Sequence, residues 1–157
     1  MPDTDSLDRF LAAQATSYSS ALAELRAGSK QTHWMWFVLP QLRGLGFSAK
    51  SHYYGLADAQ EALDYVGHPV LGPRLVACVE ALLDHADLGA SEIMGKVDAL
   101  KLHSCLTLFA RVAPETPCFA AALRAFFAGE PDAATLRLLK PRSTGRKRGG
   151  RTSRPVP

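Results

Sequence analysis

KVDALKLHSCLTLFARV, residues 96–112, carries no glycine or proline. At about 100° per residue its apolar positions Val97, Leu102, Cys105, Leu106, Leu108, Phe109 and Val112 fall on one broad arc. That spacing predicts a helix from Lys96 to Val112 with a wide buried face, and a helix of that kind needs other helices to cover it. C-terminal to it, Pro114 and Pro117 mark a linker. Phe119, Ala122, Leu123, Phe126 and Phe127 then recur at i, i+3, i+4, i+7 and i+8, a second strong amphipathic signal. Gly129-Glu130-Pro131-Asp132 breaks that helix, and a last short one reaches Leu139.

The same reading runs toward the N-terminus. Ser91 is expected to cap a single turn that ends at Gly95. His68-Pro69 opens a long helix to about Ala86, with Leu71, Leu75, Val79 and Leu82 on one face. Gly72 and Pro73, in its first turns, move its true start later. Asp58 caps a helix to about Val66 whose Ala59, Ala62, Leu63 and Val66 face the core. Ser48 caps a turn through Tyr54, and Thr32 caps His33–Val38, which Pro40 must end because it lacks an amide donor and restricts Leu39. Two helices, Ser6–Gln14 and Thr16–Ala27, precede these, the second stopped by Gly28. No stretch shows sustained period-two alternation. The expected fold is therefore all-α, a single-domain orthogonal helical bundle of about seven to nine helices over residues 1–139.

With 157 residues the chain has room for one sizeable core. No run approaches the roughly 18 apolar residues of a membrane span, and the start MPDTDSLDRF lacks the basic and apolar segments of a secretory signal, so a cytoplasmic protein is expected. Cys78, Cys105 and Cys118 are widely spaced among apolar neighbours, which suits reduced core thiols and not a disulfide framework or metal site. Seven of the eighteen basic residues lie from Lys140 onward with no acidic residue among them, leaving eleven against fifteen acidic residues in the body. Residues 140–157 read as a basic, disordered tail with a weak affinity for polyanions, and the body itself is mildly acidic.

Chemistry concentrates in two places. The stretch His33–Tyr54, HWMWFVLPQLRGLGFSAKSHYY, holds both tryptophans, two histidines and two tyrosines, with the Gly44-x-Gly46 turn inside it. Aromatic bulk mixed with hydrogen-bonding groups is the composition of a pocket wall. On the 96–112 helix, Asp98 and Lys101 lie inside the apolar arc, where a charged pair costs desolvation unless it faces a polar cavity or forms a buried bridge. Arg74 and His85 flank the apolar face of the preceding long helix, where a guanidinium fork could clamp an anion and Gly72 leaves room for one at backbone amides. Phosphate-loop, zinc-protease, paired C-x-x-C and nucleophile-elbow signatures are absent.

Taken together, His33-Trp34-x-Trp36-Phe37, Pro40-Gln41-x-x-Gly44-x-Gly46-x-Ser48, Tyr54, Glu61-Ala62, His68-Pro69-x-Leu71-Gly72-x-Arg74-Leu75 and Gly95-x-x-Asp98-x-x-Lys101-x-x-Ser104-x-x-Thr107-Leu108-Phe109 resemble a bacterial domain-of-unknown-function family of small helical proteins. Members are sometimes labelled calpastatin, a label at odds with a full core pattern because that kind of inhibitor is disordered. The resemblance spans about Leu7 to Leu139 and implies an all-helical domain without an activity to carry over. Cys105 stands where relatives usually show serine. A looser likeness is to the NADAR superfamily of N-glycosidases, in aromatic and Glu-containing helices followed by a Lys-bearing one. It transfers no catalytic residue, and Glu61 is expected to point away from its helix's apolar face.

The candidate ligand-binding residues are His33, Trp36, Gln41, Tyr54, Arg74, Asp98, Lys101 and Ser104, expected around one concavity. The expected ligand is small and anionic or nucleotide-like, with a glycosidase-type hydrolysis as an added reading and no cofactor or metal. The alternative is a non-catalytic protein-interaction module in which the same polar residues form a core network.

Overall fold

In the structure, a computed structural model that describes residues 6–139, the chain passes through α1 (Asp8–Gln14), α2 (Tyr18–Arg26), α3 (Met35–Val38), α4 (Ala49–Tyr54), α5 (Ala59–Gly67), α6 (Leu71–Leu83), α7 (Ala90–Met94), α8 (Lys96–Val112), α9 (Pro117–Phe127) and α10 (Ala133–Leu139). No strand occurs among the described residues, and the one extended pairing is an isolated bridge between Leu42 and Leu56. The chain is all-α. The described residues hold ten helices, of which α3, α4 and α7 are only four to six residues long. Pro40 and Gly95 set two of those limits. Leu39 leaves helical geometry at φ −125°, ψ 71°, and Gly95 takes φ +86°, which a side chain would resist. The basic tail expected from Lys140 lies outside the described residues.

α8 has the predicted limits and is the centre of the bundle, packed against α5, α7, α9 and α10. From Ser104 to Phe109 every residue of it is buried, as befits a helix covered on all sides. α6 packs on α2, α5 and α9, and α5 meets α6 at 88°, which gives the bundle its orthogonal character. That corner depends on Gly72. A Cβ there would sit 2.1 Å from the Val66 carbonyl oxygen, so the glycine serves helix packing. The expectation that it opens backbone amides to an anion is corrected accordingly. Among the described residues no single helix is long and apolar enough to cross a membrane.

One hydrophobic core joins the helices, with Phe10, Trp34, Tyr65, Phe109 and Phe119 among its buried side chains. Leu63, expected to face it, is exposed, and Tyr65 is buried in its place. Tyr65 can be buried because Gln14 Nε2 donates to its hydroxyl at 2.9 Å and to the Phe37 carbonyl at 2.6 Å. Val97 is also exposed, because the first turn of α8 projects past the core. Ser48 and Asp58 cap α4 and α5 as predicted, accepting from Ser51 N and Glu61 N at 3.1 and 2.9 Å. Thr32 and Ser91 do not cap. Thr32 donates its hydroxyl to Glu24, and α7 follows Gly89, whose N–H donates to Glu92.

A candidate ligand cavity between the α3–α4 loop, α8 and α10

Pro40 ends α3 and throws the chain into an extended segment, which two backbone bonds then fix: Leu56 N donates to Gln41 O at 3.0 Å, and Arg43 N to Leu56 O at 2.8 Å. The partner segment is held by Arg9, which is fully buried. Its five N–H groups reach Tyr53 O, Ser6 O, Gly55 O and both oxygens of Glu61, at 2.6 to 3.1 Å. Glu61, expected to point away from its own helix's apolar face, thus has a side chain only 11% exposed, held in an ion pair with Arg9 of α1. Gly46 completes the loop. A Cβ there would fall 2.8 Å from Ser51 Cβ, so only glycine lets the loop lie on α4.

This placement turns Gln41 inward. It is 8% exposed, its side chain lines a cavity of about 330 Å³, and its amide makes no hydrogen bond to any described residue. The opposite wall is the first half of α8, with Leu100, Lys101 and Ser104, and α10 closes the end with Asp132 and Ala134. Lys101 Nζ lies 3.6 Å from the centroid of the Trp36 ring and donates to Asp98 Oδ1 at 3.3 Å. The other oxygen of Asp98 takes Lys30 Nζ at 2.8 Å, and that ammonium lies 4.9 Å from the Trp34 ring centroid. One carboxylate therefore serves two ammonium groups, each near an indole ring. Asp132 caps α10. Its Oδ2 accepts from Thr135 N, Thr135 Oγ1 and Ser104 Oγ, and its own N–H donates to Thr107 Oγ1.

A second network sets the tryptophans. Glu24 accepts from Gln31 N, Thr32 N, Thr32 Oγ1 and Trp34 Nε1 at 2.6 to 2.9 Å. Burial alone would raise its pKa, but the bonds from Thr32, Trp34 and Gln31 outweigh that and bring it down to about 2.

Of the residues singled out in the sequence, Trp36, Gln41, Lys101 and Ser104 line this cavity, and Asp98 stands behind Lys101. His33, Tyr54 and Arg74 do not. His33 precedes α3 and is exposed beside a hollow of about 160 Å³ with Thr16 and Ser20. Tyr54 is half-buried against Phe10, Phe37 and Tyr53. Arg74 lies over the Tyr18 ring at 4.7 Å and donates to Gln14 Oε1, on the side where α6 packs on α2. His85 is likewise structural, its Nε2 2.7 Å from Arg26 O at the end of α2. Sequence reasoning missed Lys30 and Asp132. Asp132 was within reach, since Asp-x-x-Thr before a short helix is a capping pattern, whereas nothing in the sequence couples Lys30 to Asp98.

The three cysteines are buried and free, as expected. Burial pushes Cys78 up to about 12 and Cys118 to about 11, and moves Cys105 in the same direction. The described residues hold no group of three or more His, Cys, Asp or Glu suited to a metal ion.

Residues 4–139 match the model of a family described as protein of unknown function, DUF1810. A solved structure, the conserved hypothetical protein Rv1873 from Mycobacterium tuberculosis, is similar at 45% identity and a TM-score of 0.84, over 87% of this chain and 98% of that one. The chain has no match among curated proteins. These findings bear out the expected unknown-function family and lend no support to the calpastatin label or the N-glycosidase likeness.

Proposed function

We propose that this chain, which belongs to the DUF1810 family of proteins of unknown function, binds a small anionic or nucleotide-like molecule in the cavity between the α3–α4 loop, α8 and α10. The observation that carries the reading is Gln41: its primary amide has no hydrogen-bond partner among the described residues, and it lines an open cavity that Lys101 shares, so its donor and acceptor are both available to a ligand. The cavity's 330 Å³ lies at the low end of the roughly 300–1,000 Å³ of small-molecule sites, which limits the ligand to about one ring system. Leu45, Val97 and Leu100 supply the apolar part of the wall.

Binding without hydrolysis is the better-supported chemistry. Asp98 is occupied by two lysines, and Asp132 by the α10 cap, so neither carboxylate is placed as a general acid or base. An interaction module with a closed polar core accounts less well for an unpaired amide facing a cavity. The buried free thiols suit a reducing compartment, the cytoplasm in this proposal.

The test is a thermal-shift screen of nucleosides, nucleotides, sugar phosphates and inorganic phosphate, because a ligand of the folded state alone raises Tm. At least one should raise the Tm of the wild type, with the rise lost in Lys101→Met or Gln41→Leu. Rises that survive both substitutions would place the ligand elsewhere and overturn the reading.

A further inference from the structure

The lining of the cavity discriminates between the two halves of that proposal, on which this inference rests. An anion offers only acceptors. It could take hydrogen bonds from the Gln41 NH2 and the Lys101 ammonium, but it would leave Gln41 Oε1 facing oxygen and would approach the Asp132 carboxylate in the same wall. A neutral group with a donor beside an acceptor satisfies both ends of a primary amide at once. The pairing of glutamine with a base edge works in this way. Lys101 then decides which edge: an ammonium has three donors and no acceptor, so what it meets must be an oxygen or a ring nitrogen and not an exocyclic amino group.

From these residues we infer that the cavity recognises the lactam edge of a six-membered heterocycle, the –CO–NH– unit found in uracil-like rings. The ring N–H donates to Gln41 Oε1, the neighbouring carbonyl oxygen accepts from Gln41 Nε2, and a carbonyl oxygen of the same ring accepts from Lys101. Leu45, Val97 and Leu100 offer the apolar contacts that a planar ring needs. Lys101 is held for this role, since Asp98 fixes it at 3.3 Å and Trp36 lies beneath its ammonium, and one hydrogen bond to Asp98 does not exhaust its three donors. Gln41 is the specificity-determining residue, because its register is fixed by the backbone pairing with Leu56 and its amide has no competing partner.

The experiment compares uracil, 1,3-dimethyluracil and inorganic phosphate by calorimetry and thermal shift on the full chain, with the Gln41 side-chain NH2 followed by amide-nitrogen NMR. Uracil should bind and move the Gln41 NH2 resonances. Methylation at both N1 and N3 removes every ring donor and should weaken binding roughly a hundredfold, since a site built to bond an N–H rejects the analogue that lacks it. Gln41→Leu should abolish the uracil response with Tm kept or raised, because it removes an unpaired polar group, and Gln41→Glu should lose it through the missing NH2. Equal affinity for uracil and 1,3-dimethyluracil, retention of uracil binding by Gln41→Leu, or silence of uracil at millimolar concentration would each overturn the inference. A phosphate response lost in Lys101→Met beside a silent uracil would overturn it while leaving the cavity as an anion site. Silence of every probe would count against both.

Discussion

Replacing Lys101 with methionine tests whether the ammonium belongs to the fold or to the cavity. If Asp98 relied on Lys101 alone, the substitution would strand a partly buried carboxylate at a cost of about 3–5 kcal/mol. The structure gives a different sum. Lys30 meets Asp98 at 2.8 Å, shorter than the 3.3 Å of Lys101, so the carboxylate keeps its better partner. What is lost is an i, i+3 pair of about 0.3–0.5 kcal/mol and a cation–π contact of about 0.5–2 kcal/mol. Methionine returns part of this through its stem and a sulfur contact with Trp36, about 0.3–1.5 kcal/mol. The net cost should be about 1 kcal/mol, or about 3 °C in Tm for a chain of this size. Urea denaturation of wild type, Lys101→Met and Lys30→Met measures it, and Lys30→Met should be the costlier of the two lysine changes. A loss of 3 kcal/mol or more in Lys101→Met with an unchanged m-value would show Lys101 to be the counter-ion that Asp98 requires, and the cavity would lose its free cation.

Four further outcomes are expected. Arg9→Met, which removes the ion-pair partner of Glu61 and the guanidinium donors to the Tyr53 and Gly55 carbonyls, should cost about 3–5 kcal/mol in urea denaturation. Glu24, with its folded pKa lowered to about 2, contributes stability that is fully present above its ordinary value near 4.5 and lost as pH falls through about 2; Tm against pH should therefore flatten over that window in Glu24→Gln. Ala128 holds φ +55° at the end of α9, where a Cβ is unwelcome, so Ala128→Gly should stabilise by about 0.5–1 kcal/mol despite the added freedom of the unfolded chain. The three thiols, buried and raised in pKa, should resist a maleimide or disulfide reagent in the native state and react together on unfolding.

The helices were legible because each carries its own punctuation. α8 matches the sequence reading at both ends, set by Gly95 before it and by the chain turning out at Ala113 before Pro114. Ser48 and Asp58 cap as read, since a capping side chain and its amide target lie three residues apart. The rotation of a short helix is harder to read. α5 buries Ala62 and Tyr65 and exposes Leu63, because the partners of the tyrosine hydroxyl and of Glu61, Gln14 and Arg9, come from α1 some fifty residues away. The site divides in the same way. Lys101 and Ser104 share a face by helical spacing, and Asp98 follows one turn before. His33 and Arg74 were grouped with them by residue type, but the chain gives no sign of where the α2–α3 loop and α6 point.

Both walls of the cavity depend on ionic networks that begin outside it. On one side Arg9 fixes Tyr53 and Gly55, the residues just before Leu56, and Leu56 fixes Gln41 through the two bonds of the bridge. On the other, Glu24 fixes Thr32 and Trp34, Lys30 donates to the Thr32 carbonyl and to Asp98, and Asp98 holds Lys101 over Trp36. Each link is short, but the first and last members of each series are far apart in sequence. The two networks should therefore differ in what their loss does. Arg9 is buried and shared by three elements, so its removal threatens the fold before it reaches Gln41. Glu24 holds a surface loop, so Glu24→Gln should leave most of the stability at neutral pH and loosen Lys30, and with it the setting of Lys101. At neutral pH Glu24→Gln should lower Tm by less than Arg9→Met does while also lowering a ligand's affinity, whereas a fall in Tm as large as that of Arg9→Met would mean that the loop and the core unfold as one unit.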